Sequence, residues 1–289
     1  FFYFYLMKKT LLAYGFFLSV NVFGQFNVKV AVPSYLSDSD IYLYSFNGSK
    51  EILQSKAKFS NNVATFKVDK AYKGMLRAFF KKSASSVNMV SENKDISFKI
   101  ELDSKNKISN VIFDDEVNKL FSYQADIQKK QDLILPALIQ IKDYYTTSDS
   151  FYKSLDSEIN LLSKNDTSAY EAYPFLSFYS KNQKFSQQEK VAEIKSQDFI
   201  DFFSKSGEYL ETSMILKPAL VNFLNVSKSN VEGNVDQLLE AVNVETPRGQ
   251  TIMSELIEIF TTYNMDKLKD KYLTQAKNLK CTINDRLAS

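Results

Sequence analysis

Phe26-Asn27-Val28-Lys29-Val30-Ala31-Val32 places apolar side chains at 26, 28, 30 and 32. Successive strand residues point to opposite faces, so these four line one face of a sheet. Ile96-Ser97-Phe98-Lys99-Ile100-Glu101-Leu102 repeats the alternation. Between them lie Ile41–Phe46, Val63–Val68 and Gly74–Lys81, with Ala64, Phe66 and Val68 on one face and Leu76, Ala78 and Phe80 on another. Asn47-Gly48 and Asn61-Asn62 stand at the breaks, where a turn needs residues that accept positive φ. Ile108–Phe113 offers a last strand. Residues 25–113 thus read as a domain of roughly five to seven short antiparallel strands, a β-sandwich or small barrel.

The period then changes. Residues 114–289 carry apolar positions at helical spacing, so the chain reads as α+β, a sandwich or barrel followed by an all-α region. Leu120, Ile127, Ile134, Leu138, Ile141 and Tyr145 form one stripe, which Pro136 is expected to kink. Asp114-Asp115-Glu116 opens this half. Three carboxylates together could serve a metal or acid–base chemistry; capping the first free N–H groups of a helix is the stronger reading. Ser150 reads as the cap of a second helix, and Ser186-Gln187-Gln188-Glu189 as a capping box opening a third. Ser168–Tyr179 is rich in Tyr and Phe, which suits a sugar-binding surface or, more often at this spacing, a core.

Met7-Lys8-Lys9, the apolar run Leu11–Phe23 and Val22-Phe23-Gly24 have the order of a secretory signal, and the run is shorter than the roughly 20 residues of a membrane span. Residues 1–24 are therefore expected to be an upstream extension and signal peptide. The expected location is the periplasm or cell envelope, with no integral span after cleavage. Cleavage removes Lys8 and Lys9 and no acid, so the 36 basic residues fall to 34 and balance the 34 acids. A nucleic-acid binder would carry a basic excess on some domain, and none is visible.

The chain has no histidine and one cysteine, Cys281. That inventory removes histidine-based triads, histidine-ligated metals and an internal C-x-x-C pair. No P-loop, dinucleotide or nucleophile-elbow motif occurs. No cofactor and no catalytic residue are expected, and Cys281 is the one candidate reactive thiol. It lies either on a helix continuing from Leu279 or in a turn before a helix capped by Thr282. It is either a thiol able to form a mixed disulfide with a partner or a packed one.

The order of parts carries a resemblance. The texture Ile41-Tyr42-Leu43-Tyr44, Val63-Ala64-Thr65-Phe66, Gly74-Met75-Leu76-Arg77-Ala78-Phe79 and Ile96-Ser97-Phe98 leads through Val111–Phe121 into the helical region. This resembles the N-terminal region of TlpA/ResA-like envelope thiol–disulfide oxidoreductases, in which a β-domain of the DUF4369 type and a helical segment precede a thioredoxin fold. The likeness spans 25–289 and includes no catalytic motif. It implies a non-catalytic region that positions a C-terminal thioredoxin domain or contacts substrate and partner proteins. The sequence stops at Arg286-Leu287-Ala288-Ser289, before that fold would begin, so a C-x-x-C is expected downstream. The alternative is a stand-alone envelope binding or structural protein engaging a peptide, glycan or protein.

Overall fold

The computed structural model describes residues 26–164 and 168–288; the expected extension and signal, 1–24, lie outside them. The strands are β1 (Phe26–Ala31), β2 (Asp40–Asn47), β3 (Lys50–Lys58), β4 (Val63–Val68), β5 (Lys73–Phe80), β6 (Ser85–Glu92), β7 (Ile96–Leu102) and β8 (Ile108–Phe113). They form two four-stranded sheets, ordered β4-β1-β7-β8 and β3-β2-β5-β6. The inward residues of both sheets, among them Val28, Leu43, Phe66, Leu76, Phe80 and Phe98, make one continuous core. Of the two expected forms, sandwich or small barrel, the two separate sheets make the sandwich.

Two details differ from the expectation. The described residues form eight strands, and β1 pairs with β7 in parallel, Val28 opposite Ile96. After β2 and β3 the chain returns to one side of β1 as the antiparallel β4, crosses back for β5 and β6, and reaches the other side of β1 as β7, running in the same direction. β3 went unread because no residue on it is buried: it is a solvated edge carrying Lys50, Lys56 and Lys58. It also carries an extra residue, since Leu43 faces Ser55 while Tyr44 faces Leu53, which breaks the period of two. β6 went unread for the opposite reason. Val87 and Met89 face the sandwich core while Val90 is buried on the other face, against helices.

The helices are α1 (Glu116–Leu133), α2 (Leu135–Lys142), α3 (Ser150–Ser163), α4 (Pro174–Asn182), α5 (Ser196–Lys205), α6 (Leu216–Val226), α7 (Val231–Val242), α8 (Pro247–Thr262), α9 (Asp266–Lys277) and α10 (Asp285–Ala288). Asp115 caps α1, its side chain accepting the Asn118 N–H. Pro136 separates two helices instead of kinking one, because it falls in the first turn of α2, where its missing N–H costs nothing. Asp149, one residue before Ser150, holds the N-cap position of α3, but its carboxylate accepts from the Thr146 N–H and hydroxyl and not from the helix. The expected helix at Ser186 is replaced by 3₁₀ turns at Gln183–Ser186 and Gln188–Glu193, and the Ser186 hydroxyl donates back to the Gln183 carbonyl. None of the described helices is long and apolar enough to cross a membrane.

α8 is the axis of the helical core, buried on most of its length among α6, α7 and α9. A smaller cluster joins the two halves. Phe46, Met75 and Val90, on the outer face of the second sheet, pack against Val117 of α1 and against Tyr170, Phe175 and Leu176. The Asn118 side chain completes this seam by accepting the Val90 N–H and donating to the Val90 carbonyl, as a neighbouring strand would.

Candidate functional site

The turn between β2 and β3 reaches into the helical half. Gly48 has φ +64°, and a Cβ there would lie 2.3 Å from Glu255 Oε1, so only glycine suits both backbone and space. The Gly48 N–H donates to the Glu211 carbonyl at 2.7 Å, and the Ser49 N–H donates to Glu255 Oε1 at 2.5 Å. Glu255 is fully buried on α8. Its counter-charge is Arg286 of α10, with Nη2 at 2.6 Å from Glu255 Oε1 and Nη1 at 2.9 Å from Glu258 Oε1. The Ser254 hydroxyl donates to the Arg286 carbonyl at 2.7 Å. Arg248, in the first turn of α8, grips the Glu211 carboxylate with two donors, at 2.6 and 3.0 Å. Five carboxylate and guanidinium groups, of Glu211, Glu255, Glu258, Arg248 and Arg286, thus fasten the hairpin tip, α8 and α10 to one another.

A second polar knot lies where β6 meets α1 and α4. Glu92, buried at the end of β6, accepts the N–H groups of Phe175 (2.7 Å) and Leu176 (3.0 Å) at the start of α4. This suits the positive end of the helix dipole. Removal from water still dominates and lifts the Glu92 carboxyl above its ordinary pKa, against the pull of those N–H groups. The Tyr173 phenol is raised as well, chiefly by its hydrogen bond to Glu116.

Cys281 sits in the connection between α9 and α10, half-exposed and off any continued helix; the expected cap, Thr282, does not start α10, where Asn284 Oδ1 accepts the Leu287 N–H instead. Its sulfur accepts a hydrogen bond from Gln250 Nε2 at 2.9 Å, and its N–H donates to Glu245 Oε2 at 3.0 Å. The Glu245 carboxylate, hydrogen-bonded to the thiol, raises the Cys281 pKa, which keeps the sulfur protonated at neutral pH. Asp114, Asp115 and Glu116 serve separately: Asp114 accepts the Ser97 hydroxyl, Asp115 caps α1 and Glu116 meets Tyr173. Tyr170 and Phe175 of the aromatic stretch are buried in the seam. Among the described residues no group of three or more Cys, Asp or Glu is placed to hold a metal ion.

The structure does not bring Cys281 together with the acidic stretch or the aromatic one. The residues it does assemble, Glu92, Glu255 and Arg286, were not singled out from sequence. One signal was there. Ile252, Glu255, Leu256 and Ile259 fall on one helical face, so Glu255 is a carboxylate inside an apolar stripe. No protein-family profile matches the chain, and no curated protein matches it.

Proposed function

We propose that this chain is the non-catalytic N-terminal region of an envelope thiol–disulfide oxidoreductase, exported to the periplasm, which positions a thioredoxin-like domain and presents a surface to partner proteins. The observation that carries this reading is the burial of Arg286 against Glu255. A chain leaving the end of α10 leaves from a point fixed both to α8 and, through Ser49, to the sandwich. A following domain would therefore be held at a set orientation and not on a free tether. The raised Cys281 pKa fits a thiol that takes no part in exchange.

The test is to read and express the gene beyond Ser289 and assay insulin reduction. A downstream C-x-x-C with activity supports the reading. A stop codon at that point, or an inactive longer product, removes it.

One observation favours the alternative, a stand-alone binding or structural protein. Six of the eight residues of α2 are apolar, yet none of its residues is buried. Leu133, Ile134, Ile139, Ile141, Tyr144 and Phe151 on and beside it are all exposed. Such a patch suits an apolar protein partner. Replacing Ile139 and Ile141 by Ser should then abolish saturable binding without unfolding the chain; unchanged binding removes this surface from consideration.

A further inference from the structure

The backbone stays helical from α1 into α2. Ile134, at the joint, has φ −94° and ψ −44°, and the Leu138 N–H donates to its carbonyl at 3.0 Å. One periodicity therefore runs through residues 133–141, which include no charged side chain. Leu135, Leu138 and Lys142 form the half-buried side, where Lys142 pairs with Asp156 of α3. Ile134, Ala137, Ile141 and Tyr144 recur at spacings of three and four on the exposed side, with Leu133 beside them. Tyr145, one turn beyond Ile141, carries this face to α3, its ring centre 5.0 Å from that of Phe151.

Two observations point to what covers this face. The first is area. Leu133, Ile134, Ile141, Tyr144, Tyr145 and Phe151 are between 41% and 87% exposed. At roughly 150–200 Å² per side chain they present about 600 Å², so two copies face to face would bury about 1,200 Å². That exceeds the roughly 1,000 Å² of a specific interface before any polar rim is added. The lack of charge also matches the core of a homodimer interface.

The second is charge. Lys129, Leu133, Pro136, Gln140 and Asp143 follow one another at spacings of four and three, a line along the border of the same face. Lys129 and Asp143, at its two ends, are exposed, and neither has an ion-pair partner among the described residues. Their neighbours Lys130 and Lys142 are paired, with Asp126 and Asp156. A twofold axis between Pro136 and Ala137, with the helices antiparallel, sets Lys129 of each copy against Asp143 of the other. Each end of the line carries the counter-charge of the other end, and the small Ala137 lets the helices approach at the crossing.

We infer that this face of α1 and α2 is the interface of an antiparallel homodimer, with Ile134, Ala137 and Ile141 at its centre and Lys129 paired with Asp143 at either end. The partner that the alternative above leaves open is then a second copy of the chain, whether or not a thioredoxin fold follows it.

The test is sedimentation velocity on the full chain from micromolar to hundreds of micromolar, with circular dichroism as the check on folding. A reversible monomer–dimer equilibrium is expected. Ile141→Lys puts an ammonium from each copy into the apolar crossing and should leave a folded monomer. Lys129→Asp and Asp143→Lys each set like charges against one another and should weaken the dimer about tenfold at low salt. Mixing these two variants should restore it, because one copy then offers two acids and the other two lysines. A native chain that stays monomeric throughout would overturn the inference; if that monomer still captures a different protein through Ile139 and Ile141, the alternative above stands without it. A dimer unmoved by Ile141→Lys, or charge variants that the mixture does not rescue, would also overturn it.

Discussion

Arg286 Nη2 lies 2.6 Å from Glu255 Oε1, the same oxygen that accepts the Ser49 N–H, so one buried carboxylate atom joins the last helix to a strand turn more than 200 residues away. Removing the arginine would leave Glu255 buried without a counter-charge, a loss of about 3–5 kcal/mol. Arg286→Ala should lower the urea midpoint accordingly and speed amide exchange in α10. Replacing both charges, as Glu255→Met with Arg286→Met, should cost less than Arg286→Ala alone. A double variant as unstable as the single one would show that the pair is not what holds this joint.

Gly48 makes a sharper test of the same joint. Alanine there meets a left-handed backbone and a Cβ position 2.3 Å from Glu255 Oε1. We expect Gly48→Ala to destabilise the fold by more than about 1 kcal/mol. Gly207 is the control, since nothing lies within 4 Å of a Cβ built on it, and Gly207→Ala should be close to neutral. Equal melting curves for the two variants would remove the steric account.

The sandwich was legible because its strands obey a simple rule. Phe26, Val28, Val30 and Val32 are all buried, and Asn61, Asn62 and Gly48 all take positive φ where the turns were expected. What escaped the reading were strands whose surroundings depart from one wet face and one dry face. β3 has no fully buried residue on either face, and β6 carries buried residues on both. The polar joints were less legible for a related reason. Glu92 and Arg286 look like ordinary surface charges until the fold brings Phe175 and Glu255 to them from 83 and 31 residues away. Only Glu255 announced itself locally, as an acid in an apolar stripe.

Glu92 carries a pH prediction. Its folded pKa is raised from an ordinary 4.5 by burial, so the native state holds the proton more tightly than the unfolded chain. Its contribution is complete below the unfolded value and is lost as pH rises through the raised folded one. Stability measured from pH 4 to 8 should therefore decline more in the native protein than in Glu92→Gln, with the divergence starting near pH 4.5. Parallel curves would mean that the carboxyl titrates alike in both states.

Cys281 carries the last. Hydrogen bonding to Glu245 raises the thiol pKa, and the Gln250 amide only partly offsets it, so the thiolate fraction at pH 7 is below that of free cysteine. Alkylation of the native chain by iodoacetamide should accordingly be slower than that of cysteine in solution, with its pH midpoint shifted upward. Glu245→Gln removes the charge, lowers the midpoint and speeds the reaction at pH 7. Burial alone would give a slow rate that this substitution leaves untouched. A native midpoint at or below that of free cysteine would reverse the conclusion and make Cys281 a thiol poised for exchange with a partner.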